Sequence, residues 1–203
     1  MIKDKKTLAR MADEDLRTPS HDAIMLWLHE NVEQICRSLL AEGLDSHRSK
    51  FESAIKKLAG DDLAVVMADY GKEEFAYVVR ISSKWEAPIR SGNVMVGFVD
   101  LLAEVSGSCS PWVYKPSGYG NPKPEARWSD GYNKIIAFEV KTSIRSIGET
   151  IRQINTYRAY MRSATQFCIV SPDDRFRAIL ESQDILFVKA PAVGDGVAQG
   201  GLF

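Results

Sequence analysis

Two acidic residues and a lysine lie on stretches whose composition is typical of buried β-strands. The apolar stretch 97–100 ends in Asp100, and the apolar stretch 135–141 carries Glu139 and Lys141. Residues two apart on a strand point to the same face of a sheet, so Glu139 and Lys141 are predicted to share a face. Carboxylate oxygens are the ligands that hard divalent cations prefer. A bound cation lowers the pKa of its water, and a neighbouring lysine can orient that water or offset charge on a phosphate.

A polar, basic helix is predicted directly after these residues, over 147–163. Gln153 and Tyr157 are four residues apart and therefore share one face of that helix. The segment 141–162 carries five basic residues against one acidic residue, a local positive surplus in a chain whose formal net charge is −1. Its arginines are candidates for binding phosphate groups, and the alternative is an ordinary solvated helix face. These arginines are Arg145, Arg152, Arg158 and Arg162.

In this order and spacing, the residues resemble the PD-(D/E)xK nuclease superfamily, and in particular its RecB-like branch. Asp100 matches the first acid, with Val99 where the family has proline, and Glu139-Val140-Lys141 matches the E-x-K. Gln153 and Tyr157 match the Q-x-x-x-Y motif of the RecB-like branch. The resemblance implies a deoxyribonuclease that hydrolyses phosphodiester bonds in DNA and depends on Mg²⁺ or Mn²⁺.

The resemblance also implies a role for each matching residue. Asp100, Glu139 and the backbone carbonyl of Val140 would bind the metal, and Lys141 would position the attacking water. The two residues of the Q-x-x-x-Y motif would support the site and contact the nucleic-acid strand. The alternative is a core tyrosine with the glutamine at its solvated edge.

The superfamily often adds a metal contact from its first helix, for which His21, Glu30 and Glu33 are the candidates here. We favour His21, because helical projection places it on the apolar stripe while the two glutamates point largely away. A capping histidine or a satisfied core histidine is the alternative. Some RecB-like nucleases also carry an iron–sulfur cluster on four cysteines. The chain has three scattered cysteines, so no such cluster is predicted.

The predicted elements give the chain an α/β fold. Their order matches the αβββαβ core of the restriction-endonuclease-like fold, with a mixed central sheet flanked by helices. A loop over 107–133 interleaves aromatic residues with lysine and arginine; it could stack bases and contact phosphates, or its aromatic side chains could pin it to the domain surface. We predict helices over 20–42, ended by Gly43, and over 47–59, 147–163 and 174–182, and strands over 75–81, 85–89, 94–105, 134–141, 166–170 and 185–188.

Composition narrows the class of protein. The chain has 203 residues, of which 45% are hydrophobic and 26% charged, as in an ordinary globular domain. No apolar run approaches the roughly 18–20 residues of a membrane span, and no secretory signal is visible, so we predict a cytoplasmic protein without a membrane partner. We divide the chain into an arm over 1–19, a nuclease domain over 20–190 and a tail over 191–203.

The tail ends in a pattern that resembles the bacterial sliding-clamp-binding motif. Gln199 is followed three and four residues later by Leu202 and Phe203. Apolar residues at the end of a polar segment that is flexible by composition are typical of a partner-binding site. The alternative is that Leu202 and Phe203 fold back onto the domain.

A second hypothesis has no catalysis in it. The chain could be a nuclease fold kept as a DNA-binding or clamp-binding adaptor, which the near-neutral charge favours. The intact Asp100, Glu139 and Lys141 argue against it, because a buried acid cluster without a metal is costly. RNA in place of DNA, exonuclease or endonuclease activity, strand polarity and a homodimer all stay open at this point.

Overall fold

The computed structural model describes residues 18–59, 77–108, 112–114, 124–127 and 131–192. Strands and helices alternate in its second half, as an α/β protein requires. In chain order the elements are α1 (Pro19–Leu39), α2 (Ala41–Ala59), β1 (Val78–Ser91), β2 (Val94–Ser108), β3 (Trp112–Tyr114), β4 (Pro124–Arg127), β5 (Tyr132–Val140), α3 (Ile147–Arg158), β6 (Thr165–Ser171), α4 (Arg177–Ser182) and β7 (Ile185–Lys189).

Helix α1 begins where the sequence indicates. Thr18 Oγ1 accepts a hydrogen bond from the backbone N–H of His21 at 3.3 Å, and Pro19 is the first helical residue. A hydroxyl cap followed by proline satisfies the free N–H groups of a first turn without losing a hydrogen bond. The predicted apolar stripe is buried along the first half of the helix, with Ile24 and Leu28 almost fully inaccessible, and it is half-buried further on.

The predicted end of this helix is wrong. Helix α1 ends at Leu39, and Gly43 lies inside α2, which begins at Ala41 and not near 47. A Cβ added at Gly43 would lie 2.6 Å from Tyr132 Oη. Glycine at this position is therefore explained by the close approach of a tyrosine, and not by the left-handed turn that ends many helices.

Five strands form the main sheet in the order β1-β2-β5-β6-β7. Strands β5, β6 and β7 are parallel, and a two-residue turn that begins at Gly92 (φ +58°) joins β1 to β2 as a hairpin. The mixed sheet and its helices confirm the α/β class. Strands β5 and β6 carry runs of consecutive buried residues, as parallel strands covered on both faces do.

Two predictions in the first half of the sheet need correction. The predicted strands 75–81 and 85–89 belong to one strand, β1, although residues 75 and 76 lie outside the described part of the chain. The polar residues 82–84 do not interrupt it, because β1 is an edge strand where polar side chains reach water. The predicted loop 107–133 contains β3 and β4, which pair antiparallel with Trp112 opposite Arg127.

Helix α3 ends earlier than predicted, at Arg158 and not near 163. The carbonyl of Tyr157 accepts hydrogen bonds from the N–H groups of Tyr160 and Met161, both at 3.0 Å, so the chain tightens into a turn there. Arg162 therefore lies beyond the helix and does not share a helical face with Arg158. Helix α4 is also shorter than the predicted 174–182, because Asp173 and Asp174 are held in the preceding turn by Arg175 and Lys189.

None of the described helices is long and apolar enough to cross a membrane.

The described residues fall into two compact units. The first unit has a core in which Ile154 and Tyr157 of α3 pack with residues of β1, β2, β5, β6, α4 and β7. It contains residues 18–33, 83–103 and 135–192, and the second unit contains the described residues within 34–82 and 104–134.

Candidate active site

The two predicted acids lie on different strands of the first unit and are both buried. Asp100 of β2 is 7% exposed and Glu139 of β5 is 5% exposed. The Oδ2 atom of Asp100 accepts a hydrogen bond from the backbone N–H of Val140 at 2.6 Å. This bond ties the first carboxylate to the strand that carries the second, so the acids of two separate motifs lie at one site.

Glu139 is held asymmetrically. Its Oε1 atom accepts hydrogen bonds from Lys141 Nζ at 3.0 Å and from Gln153 Nε2 at 2.6 Å. Its Oε2 atom is buried and has no hydrogen-bond partner among the described residues. Burial, reinforced by the negative charge of Asp100, raises the pKa of Glu139 to about 7, although Lys141 and Gln153 oppose the shift. The carboxylate is therefore under-compensated in the protein alone.

Helix α3 supplies the amide that holds Glu139. Ser146 caps the helix by accepting from the N–H of Glu149 at 3.4 Å. Two turns on, Gln153 Nε2 also donates to Tyr157 Oη at 2.9 Å, which is the contact expected of residues four apart. Burial raises the pKa of Tyr157 to about 12, so its hydroxyl stays protonated. The Q-x-x-x-Y residues thus form one chain of hydrogen bonds that ends on Glu139.

His21 lies near the other carboxylate. It is 4% exposed, and its Nε2 atom is 3.8 Å from Asp100 Oδ2. The Asp100 carboxylate raises the pKa of His21, while burial opposes this change. Its Nδ1 atom is buried without a hydrogen-bond partner in the described part of the chain. Glu30 and Glu33 are exposed, as the helical projection indicates.

The predicted phosphate-binding arginines are not equivalent. Arg145, Arg152 and Arg162 are exposed, and Arg152 lies 3.9 Å from Glu149. Arg158 donates to the backbone carbonyls of Gln183 at 3.1 Å and Asp184 at 2.5 Å, and its guanidinium lies over the ring of Phe167. Arg158 therefore ties α3 to the end of α4.

Asp173 supports the loop that follows Lys141, and sequence reasoning did not identify it. Its Oδ2 atom accepts from the backbone N–H of Ile144 at 3.1 Å, and its two oxygens accept from Arg175 Nε and Nη2 at 2.7 Å each. Its own N–H donates to Ser171 Oγ at 3.1 Å. The Arg175 guanidinium holds the pKa of Asp173 well below its usual range. The only available sequence signal is an aspartate in the turn after a buried strand.

The donor set at Asp100 and Glu139 fits Mg²⁺ or Mn²⁺ chemically. Among the described residues, no group of three or more His, Cys, Asp or Glu side chains is arranged to hold a metal ion. Magnesium needs only one or two carboxylates, since water and substrate phosphates complete its shell. The Oε2 atom of Glu139, which no described residue hydrogen-bonds, is the kind of atom that a cation would satisfy.

Comparison of the chain with protein-family models, curated proteins and solved structures gave no significant match. Any functional conclusion therefore depends on the site itself. The tail residues Gln199, Leu202 and Phe203 lie outside the described residues. The same is true of the side chains predicted to contact nucleic acid from the loop 107–133, which are those of Trp112, Tyr114, Lys115, Tyr119, Lys123, Arg127 and Trp128.

Proposed function

We propose that the chain is a divalent-metal-dependent deoxyribonuclease of the PD-(D/E)xK type. The observation that carries the proposal is the buried carboxylate of Glu139, which has a raised pKa and one oxygen without a hydrogen-bond partner in the described ranges. A structural ion pair would compensate both oxygens, because an uncompensated buried charge is costly. A second buried carboxylate and a lysine beside it complete the set of groups that metal-assisted phosphodiester hydrolysis needs.

Each side chain has a defined task in this proposal. Asp100, Glu139 and the carbonyl of Val140 would hold Mg²⁺ or Mn²⁺, which supplies an activated water and offsets charge on the phosphate. Lys141, whose Nζ lies 3.0 Å from Glu139 Oε1, orients the water and neutralises charge on the substrate. Gln153 fixes the Glu139 carboxylate in one orientation and would leave its other oxygen available to the metal.

The direct test is cleavage of a panel of substrates in Mg²⁺ and in Mn²⁺: linear duplex, single strand, flap, four-way junction and single-stranded RNA. Lys141→Ala is the inactive variant. Lys189→Ala is the matched control, because Lys189 is 60% exposed and pairs with Asp174. We expect cleavage by wild type and by Lys189→Ala only, with all three proteins equally folded. Cleavage by Lys141→Ala at the wild-type rate would remove the proposed chemistry.

The adaptor remains the second candidate, and one observation favours it. Lys141 and Gln153 already donate to Glu139 Oε1 without any cation, so the site is partly neutralised by the chain. An adaptor would bind DNA in Mg²⁺ with the same affinity in wild type and Lys141→Ala and would cleave none of the substrates. The same panel therefore separates the two functions.

Tethering to a sliding clamp is proposed on the tail sequence alone. A pull-down with purified bacterial clamp, using the full chain and a chain that ends at residue 198, measures it directly. We expect only the full chain to bind, because Gln199, Leu202 and Phe203 carry the resemblance. Equal retention of both proteins would exclude the tail as the clamp-binding segment.

A further inference from the structure

The ring of Tyr157 packs against the backbone of β2 at Gly97. A Cβ added at Gly97 would lie 3.1 Å from Cε1, 3.3 Å from Oη and 3.5 Å from Cζ of this tyrosine. The backbone itself does not need glycine here, since Gly92 is the glycine with positive φ among the described residues. The absence of a side chain at Gly97 is therefore explained by the tyrosine that lies on it.

Tyr157 has little freedom to move away from β2. It is 8% exposed and belongs to the core of the first unit, where Val99 and Ile154 are completely inaccessible. Its hydroxyl is also bound by Gln153 Nε2 at 2.9 Å. Interiors are close-packed, so a ring pushed by a few tenths of an ångström would transmit the displacement to its neighbours. The neighbour that matters is Gln153, which holds Glu139 at 2.6 Å.

These contacts connect the two carboxylates by two separate routes that both start at Gly97. Strand β2 carries Asp100 three residues after Gly97, and Asp100 is bound to the N–H of Val140, next to Glu139. Starting from Gly97, the other route passes through Tyr157 and Gln153 to the same glutamate. We propose that Gly97 is a positioning residue, which fixes the Glu139 carboxylate relative to Asp100 by setting how closely Tyr157 approaches β2. The inference deepens the proposed function and rests on it.

The test is Gly97→Ala, with Gly148→Ala as the matched control. Gly148 lies in the first turn of α3, and a Cβ added there meets nothing within 4 Å. Small misplacements of catalytic groups are expensive, so we expect Gly97→Ala to lower kcat about tenfold with little change in KM for DNA. We also expect weaker Mn²⁺ binding by calorimetry in Gly97→Ala and none of these changes in Gly148→Ala.

A double-mutant cycle isolates the tyrosine. If Gly97 acts through Tyr157, then Gly97→Ala adds no further loss of kcat or Mn²⁺ affinity in a Tyr157→Ala background. Fully additive losses would overturn the inference. Should Gly97→Ala fail to fold, recovery of the fold in Gly97→Ala/Tyr157→Ala supports the contact, and a double variant that stays unfolded while Tyr157→Ala alone folds refutes it.

The two proposals fail in different ways. Wild-type kcat and Mn²⁺ affinity in Gly97→Ala would overturn the positioning role and leave the nuclease intact. A wild-type protein that binds Mn²⁺ but cuts nothing would end the nuclease proposal, while weaker Mn²⁺ binding by Gly97→Ala would still support the positioning of Glu139. A wild-type protein that neither binds Mn²⁺ nor cuts would refute both.

Discussion

Replacing Glu139 by glutamine should stabilise the metal-free protein at high pH. The substitution keeps the shape of the side chain and removes its charge. Burial and Asp100 raise the pKa of Glu139 from 4.5 to about 7, and a tenfold change in proton affinity is worth about 1.4 kcal/mol, so the ionised carboxylate costs the fold about 3 kcal/mol. This pKa already includes the opposing effect of the ion pair with Lys141, so the expected net gain at high pH is about 3 kcal/mol.

The sign of the pH dependence follows from the same pKa. Between pH 4.5 and about pH 7 the folded chain keeps a proton on Glu139 that the unfolded chain releases. The free energy of unfolding of the wild type therefore falls as pH rises through this interval. At pH 5 the wild-type side chain is mostly neutral, so Glu139→Gln should then be nearly as stable as the wild type. At pH 8 the full difference should be present.

Urea denaturation in EDTA at pH 5 and pH 8 measures the stability difference between Glu139→Gln and wild type and the pH dependence of that difference. Glu104→Gln is the control, because Glu104 is an exposed residue of β2 and should change stability by less than about 0.5 kcal/mol. Added Mg²⁺ should stabilise the wild type at pH 8 and leave Glu139→Gln unchanged. If Glu139→Gln is no more stable than wild type at pH 8, the carboxylate is not under-compensated and the argument for a metal is refuted.

Three further substitutions test the supports of the site. Asp173→Asn should lower the free energy of unfolding by about 1–2 kcal/mol at pH 7 through its weakened bonds to Arg175. The difference should begin to shrink as pH falls below the ordinary aspartate pKa and should still be partly present at pH 3, because the folded-state pKa of Asp173 is depressed. Arg158→Ala should lower the melting temperature without changing Mn²⁺ affinity, which calorimetry checks, since its guanidinium binds carbonyls at the end of α4. Gly43→Ala should destabilise by about 1–3 kcal/mol in urea, because the added Cβ would collide with Tyr132, and an unchanged midpoint would contradict that contact.

The elements that sequence predicted well are those whose identity is decided locally. The apolar runs that form β6 and β7 are too short for a buried helix and contain β-branched and aromatic residues, which favours strands. Thr18-Pro19 fixes the start of α1 by its own capping chemistry. The ends of helices were less predictable, because they depend on distant contacts. The end of α3 is followed by a tight turn, and Arg158 in its last turn binds carbonyls 25 and 26 residues further on. Periodicity contains no information on such a contact.

In the candidate site, too, the contacts between residues close in sequence were predictable and those between distant residues were not. Sequence spacing alone brings Lys141 to Glu139 and Gln153 to Tyr157, because period 2 on a strand and period 3.6 on a helix fix those neighbours. The contact between Asp100 and the N–H of Val140 joins residues 40 apart and required the resemblance to anticipate that the two motifs meet. The functional roles of these residues stay predictions until cleavage is measured.

Gly97 and Asp173 show what spacing cannot supply. Neither has a side chain directed at the proposed reaction: Gly97 has none, and Asp173 binds the backbone N–H of Ile144. Each acts on the site indirectly, Gly97 through the packing of Tyr157 and Asp173 through the backbone of the loop that follows Lys141. Two buried carboxylates that lie close together repel each other. Contacts from neighbouring elements must therefore hold them in place. Residues that supply such contacts are recognised only when the distances to the groups they restrain are known.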